Sequence, residues 1–458
     1  MNRYFHAFIA LVILGSFAAC TESPTPVDQP TLDAAQKLLL ENVYVFDVFS
    51  GTMKGPKHIL IEGDSIRSIL EPGDRVESAR RIDGRNGFAL PGLFDCHTHL
   101  AHLTLEDHCE DTLRDFVSRG ITQVRDVGGP VEVLQDMNRR IRDGGLQGPE
   151  IFYTGPMLEG NPLTWGHVNE KIPGFTLAID TREDVDRILA DLVQKGASMV
   201  KAFGKIDREI FTYLKERADH HGLRMVHDPG NPLFHTVSMA DSIDLGVTSI
   251  EHGKAPWPIV LRDDLQEEHD TILAASGQST PLGMAFAFKV SELDLESISE
   301  EKLQKLIEKM RGNEVYLCPT LEVFYKMEKT GPPVEVPPEA LPTVKKIMAA
   351  MKNVSIHFTK KMALGRIKML VGQDGIEPGG TFAEMEHLAE CGLSPSEIIK
   401  GATLYPARWL GVEGRLGSIS PGREANLLVL ERNPLENIEH MRGAGLVIRK
   451  GEVAFRKE

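Results

Sequence analysis

The chain is poor in cysteine, with five in 458 residues, and poor in aromatic residues, which make up 6% of it. Cys20, Cys96, Cys109, Cys318 and Cys391 are widely scattered and form neither a disulfide framework nor a zinc-finger spacing. Positive charge is also short. The 51 Lys and Arg stand against 66 Asp and Glu, a formal net charge of -15. That argues against nucleic acid as the main partner, because phosphate binding needs clustered Lys and Arg. Beyond the first twenty residues no run is apolar enough to span a bilayer. What is present is 41% hydrophobic and 26% charged, an ordinary globular composition, over a length that suits one large domain and an accessory one.

The N-terminus has a different texture. Arg3 precedes "AFIALVILGSFAA", thirteen mostly apolar residues, a length that suits a secretory signal and is short for a membrane span. Residues 1–19 are therefore expected to be a signal peptide. The segment ends in "FAAC", which resembles a bacterial lipobox with Phe17 at the usual aliphatic position. Cys20 is then the expected lipid attachment site, and "TESPTPVDQP" within residues 20–35 a flexible tether. The expected location is exported, on the periplasmic or cell-surface side, with the lipid at Cys20 as the sole membrane contact.

From Gly92 onward, short β-rich runs alternate with amphipathic helical patterns. The runs are "GLFDCHTHL", "ITQVRDVGG", "EIFYTGP", "SMVKAFG", "LRMVHDPG", "VTSIEHG", "EVYLCPTL" and "IKMLVGQDG". Eight strands each followed by a helix is the count of a closed (β/α)8 TIM barrel, here over residues 91–409. Helices are punctuated as expected: "TREDVDRILADLVQKG" opens on a capping pattern of Thr181 and Asp184 and stops at Gly196. Residues 36–90 and 410–458 read as antiparallel strands joined by glycine-containing turns. Neither end has enough strands for a sheet of its own, so the two are expected to combine into one small β-sandwich. The fold class is α/β. The long connection from Lys254 to Asn313 and the Pro-rich "TGPPVEVPPEALP" follow strand ends on the face where barrel enzymes keep their sites, and are candidate lid or specificity elements.

Six polar residues fall at the C-terminal ends of these strands: His97 and His99 on the first, Lys201 on the fourth, His227 on the fifth, His252 on the sixth and Asp374 on the eighth. In a strand, residues two apart project to one face about 6–7 Å apart, so His97 and His99 can reach one ion. Strand ends of a barrel converge on one rim. Four imidazoles, an amine and a carboxylate gathered there are hard to keep buried without a metal.

The pieces "ALPGLFDCHTHL", "GITQVRDVGG", "VKAFG", "MVHDPG", "SIEHG", "GQDG" and "GATLYPARWLGVEGRLGSISPGREANLLVLERNPLENI" together resemble the amidohydrolase superfamily, and within it the imidazolonepropionase-like and prolidase-like group. The resemblance covers nearly the whole chain after the tether. It implies metal ligands at His97, His99, Lys201, His227, His252 and Asp374, and a substrate contact at His167 in "PLTWGHVN". It further implies two divalent ions, with zinc the first expectation, bridged by a carbamate on Lys201 and a hydroxide. His97, His99 and Asp374 are assigned to the more buried ion and His227 and His252 to the other. Asp374 would be general base and then general acid. The chain departs from the family pattern at "HDPG", His227 to Gly230, where a His-Ala opening is commoner, at Gln373, and at Asn426 in the tail strand. The activity implied is hydrolysis of an amide C–N bond in a small-molecule substrate, a dipeptide or N-acyl amino acid. A mononuclear deaminase or cyclic-amidine hydrolase of the same fold and a non-catalytic metal-holding lipoprotein are the alternatives, and assembly into a homo-oligomer is left open.

Overall fold

The structure, a computed structural model, describes residues 37–229, 237–276, 281–331 and 338–458. The signal segment, Cys20 and the tether lie outside the described residues, as do residues 332–337 of the Pro-rich stretch.

Strands β1 (Lys37–Asp47), β2 (Thr52–Glu62), β3 (Ser65–Leu70) and β4 (Arg80–Pro91) come from the N-terminal part. The barrel strands follow: β5 (Leu93–Thr98), β6 (Ile121–Asp126), β7 (Glu150–Tyr153), β8 (Met157–Glu159), β9 (Thr176–Ala178), β10 (Met199–Ala202), β11 (Arg224–His227), β12 (Ser249–Glu251), β13 (Tyr316–Cys318) and β14 (Lys368–Met369). The chain ends with β15 (Leu427–Leu430), β16 (Ala444–Arg449) and β17 (Glu452–Arg456).

The two chain ends join in one sheet of order β17-β16-β15-β4-β1-β2-β3. Its alternating strands bury Leu38, Leu40, Ile59, Ile61, Leu427 and Val429 in a core separate from that of the barrel, which gives the sandwich-like second layer. One pairing differs from the antiparallel expectation. After the β2–β3 hairpin the chain crosses back to the other edge of β1, so β4 runs parallel to β1.

The eight barrel strands are all parallel to their neighbours. The third is broken at Gly155-Pro156: β7 pairs with β6, while its continuation β8 pairs with β10 and with the additional short strand β9. Closure is made by the last strand passing the first. Cys96 N donates to Val371 O at 2.7 Å and Asp374 N to His97 O at 2.9 Å. This crossing requires glycine at position 372, where a Cβ would lie 2.6 Å from Cys318 Sγ and 2.7 Å from His97 N.

Helices clothe the outside. Arg182–Gln194 carries the expected capping box, Thr181 and Asp184 each accepting from the other's backbone N–H, a motif whose cap is worth about 1 kcal/mol. The connection after β12 folds largely as helices Asp263–Ser276, Pro281–Leu293 and Glu300–Gly312. Among the described residues no helix is long and apolar enough to cross a membrane, and Cys96, Cys109, Cys318 and Cys391 are free thiols.

Candidate metal centre

Every residue of β5 is buried, including the polar Asp95, His97 and Thr98, so each needs a partner inside the barrel. His97 Nδ1–H donates to Glu251 Oε2 at 2.7 Å, and Glu251 Oε1 accepts from Arg125 at 2.7 Å. Arg125 also donates to Cys96 O and Ser249 Oγ, at 2.8 and 3.0 Å. Burial works to raise the Glu251 pKa, but Arg125 and His97 outweigh it and push it down to about 2. Burial holds the His97 ring neutral, down to about 4. Its Nε2 therefore keeps a lone pair on the side away from Glu251.

The same device recurs on two more histidines. His99 Nδ1–H donates to Gly128 O at 3.0 Å, and His252 Nδ1 pairs with Thr320 Oγ1 at 2.7 Å. A carboxylate and a carbonyl thus fix the His97 and His99 rings with Nε2 toward the barrel mouth, which is how proteins orient metal-ligating imidazoles, while the His252 ring is held at both nitrogens, by Thr320 at Nδ1 and by Asp228 at Nε2. His97 Nε2 and His99 Nε2 stand 3.6 and 3.3 Å from Asp374 Oδ1. His252 lies beside them, its ring centroid 5.0 Å from that of His97 and its Nδ1 3.8 Å from Asp374 Oδ2. Lys201 Nζ and His252 Nε2 meet Asp228 Oδ2, at 3.7 and 2.9 Å.

Three consecutive strand ends leave the sheet in the left-handed region: His252 at φ 68°, Thr320 at φ 50° and Asp374 at φ 57°. None is glycine, so each conformation costs on the order of 1 kcal/mol and needs its surroundings to hold it. The turn re-aims side chains that simple alternation would send outward, and it brings His252 and Asp374 over the barrel mouth.

Of the sequence-predicted ligands, His97, His99, Asp374, His252 and Lys201 are brought to one buried rim. His227 is not brought to that cluster. Its Nδ1 pairs with Ser242 Oγ at 2.9 Å, and its ring packs edge-on against Phe211, both on helices that cover the barrel. His167 lies on an exposed turn after β8 with its ring stacked on Trp165, and it makes no described contact with the rim. Sequence reasoning missed Glu251, Arg125, Thr320, Asp228 and Lys254. Glu251 sits inside the quoted "SIEHG", but only the closed barrel shows that it faces His97.

The rim fits a divalent cation. His97 Nε2 and both carboxylate oxygens of Asp374 are buried without a hydrogen-bond partner, an arrangement that is costly unless a ligand satisfies it. Burial alone would raise the Asp374 pKa, yet His97, His99 and His252 hold it well below the usual carboxylate range. Nitrogen and carboxylate donors together suit zinc, manganese, cobalt or iron.

Comparison with known proteins agrees with this architecture. The model of the amidohydrolase family matches residues 299–454. Among solved structures, a crystal structure of a Xaa-Pro dipeptidase with bound methionine superposes with a TM-score of 0.70 at 20% identity, covering 91% of this chain and 99% of that one. Ochratoxinase of Aspergillus niger is 23% identical over 398 residues, 76% of this chain and 71% of its own length, and its crystal structure superposes with a TM-score of 0.68. A 5-methylthioadenosine/S-adenosylhomocysteine deaminase of Dictyoglomus turgidum is 40% identical over 75 residues, a match that spans 16% of this chain and 17% of that relative. The fold is that of the amidohydrolases, a TIM barrel with a β-sandwich, and the resemblance to the amidohydrolase superfamily read from the sequence is borne out.

Proposed function

We propose that the protein is a metal-dependent hydrolase that cleaves an amide C–N bond in a small substrate, with a dipeptide or N-acyl amino acid as the substrate class. The observation that carries this reading is the set of buried, unpartnered donor atoms on His97 and Asp374 at the barrel mouth. The Xaa-Pro dipeptidase, and the prolidase complexed with N-methylphosphonate-L-proline whose structure superposes with a TM-score of 0.69, support the substrate class.

On this reading His97, His99 and Asp374 hold one divalent ion, with zinc the first expectation, and Lys201 and His252 contribute to a second. Bound there, the ions supply Lewis acidity toward the scissile carbonyl and toward water. Lys201 serves as a carbamate, formed from carbon dioxide with loss of one proton from the amine. Asp374 accepts a proton from the attacking water at a carboxylate oxygen and returns it to the leaving nitrogen. Glu251 and Gly128 O keep His97 and His99 in the tautomer that leaves Nε2 without a proton. The N-terminal segment exports the chain and Cys20 anchors it by lipid, which rests on the signal and lipobox pattern alone.

A deaminase is the second reading, favoured by the local match to the Dictyoglomus turgidum protein. Lys201 on the rim weighs against it, because a one-metal site has no use for a bridging group. The deciding experiment combines metal analysis of the mature protein with a library of dipeptides, N-acyl amino acids and aminopurine nucleosides. Two ions per chain with release of a free amino acid supports hydrolysis. One ion with release of ammonia from a nucleoside overturns it.

A further inference from the structure

The fifth barrel strand ends at His227 and Asp228 follows it, and the parallel register with the contacts of Asp228 shows which of the two faces the barrel interior. Lys201 pairs with Val226 and Ala202 with His227. Paired residues of adjacent strands point to the same face. Lys201 is turned to the interior, where it lies 3.7 Å from Asp228 Oδ2 and acts electrostatically on His97 and Glu251. Val226 shares that face, and Asp228, one residue past the strand, reaches it through its contacts with Lys201 and His252. His227 shares the face of Ala202, toward the helices Arg208–His220 and Met239–Asp244 that provide Phe211 and Ser242.

Asp228 is 3% exposed and stands 2.9 Å from His252 Nε2, the ring atom that the Thr320 contact leaves to bind a ligand. We propose that Asp228 is a metal ligand, the carboxylate that the fifth strand places beside His252 and Lys201 at the second ion. The proposal rests on the metal-dependent reading above. To hold an ion, the His252 ring would carry its single proton on Nδ1, donating to Thr320 Oγ1, which would leave Nε2 and the Asp228 carboxylate both as donors to the cation. A carboxylate donor adds one negative charge to the site, and Lys254, buried two residues beyond His252, compensates it electrostatically. Oxygen donation at this position also shifts the preference of the second ion toward harder metals such as manganese.

The test reads ligation directly. Zinc-loaded wild type is expected to hold about two ions per chain by mass spectrometry of the metal, and Asp228→Ala about one, with an unchanged circular dichroism spectrum. Asp228→Cys loaded with cadmium should show an ultraviolet thiolate-to-cadmium charge-transfer band that cadmium-loaded wild type lacks. That band appears only if position 228 touches the ion, so it does not depend on activity or on small losses of stability. If Asp228→Ala retains the wild-type ion count, or Asp228→Cys takes up cadmium without the new band, Asp228 is a hydrogen-bonding neighbour and the proposal is overturned. Wild type that binds no divalent ion would overturn the metal-dependent reading as well, and that result is seen without any variant.

Discussion

His97 Nδ1 and Glu251 Oε2 stand 2.7 Å apart, both wholly buried, and the second oxygen of Glu251 is held by Arg125. A first-strand ring is thereby oriented by a sixth-strand carboxylate that a second-strand guanidinium keeps ionised. Glu251→Gln should lower metal affinity about 10- to 100-fold, the usual effect of removing an oriented partner behind a ligating histidine. Chelator competition on the refolded protein measures it. Glu251→Ala should also cost about 3–5 kcal/mol of stability, because it leaves Arg125 buried without its counter-charge. An unchanged chelator midpoint in Glu251→Gln would mean that the contact is structural only.

Asp374 should separate metal retention from turnover. Asp374→Asn keeps the shape and one oxygen donor but loses the proton acceptor, so kcat should fall by roughly 100- to 10,000-fold. Its metal content should fall less than in His97→Asn, which removes a nitrogen donor outright. Parallel loss of ions and turnover in Asp374→Asn would reduce Asp374 to a ligand.

The fold was legible because barrels and helices announce themselves by repetition. Eight β-rich runs, the Thr181–Asp184 cap and the glycine stops all appear where the pattern put them. The rim was legible in part. The pair His97 and His99 follows from strand alternation, and Lys201 from its position on a strand that the register confirms as facing inward. Alternation fails once the chain leaves the sheet. His252, Thr320 and Asp374 reach the mouth through left-handed backbone, which no periodicity encodes. At the fifth strand the resemblance drew attention to His227, whereas it is Asp228, one residue past the strand, that reaches Lys201 and His252. Arg125 and Glu251 escaped notice because a buried ion pair between strands two and six depends on closure of the barrel.

The N-terminal expectation has its own test. Mass spectrometry of the mature chain from the native membrane fraction should find Cys20 as its first residue, carrying lipid. Cys20→Ala should accumulate as an unprocessed or soluble form. A soluble native protein beginning at another residue would mean an ordinary cleaved signal.

Glu384 should impose a pH dependence on stability. It is buried on the helix Pro378–Glu390, where Oε2 accepts from Glu322 N at 2.8 Å at the start of the helix Leu321–Thr330. That helix is not capped by its own Thr320 hydroxyl, because Thr320 sits in the left-handed region with its hydroxyl on His252. Burial raises the Glu384 pKa to about 8, more than the backbone N–H groups of Glu322 and Leu321 lower it. The unfolded chain loses this proton near 4.5, whereas the native protein keeps it to about 8. The native state therefore binds the extra proton between those values. Its contribution to stability is complete below the unfolded pKa and is lost as pH rises toward 8, at about 1.4 kcal/mol per pH unit in that window. Glu384→Gln keeps an oxygen for the Glu322 N–H and cannot ionise, so its urea midpoint should decline less than that of wild type between pH 5 and 8. The difference between the two profiles isolates Glu384 from the other buried acids. Parallel profiles would show that Glu384 is already ionised in the native protein at neutral pH, with water or a cation reaching its second oxygen.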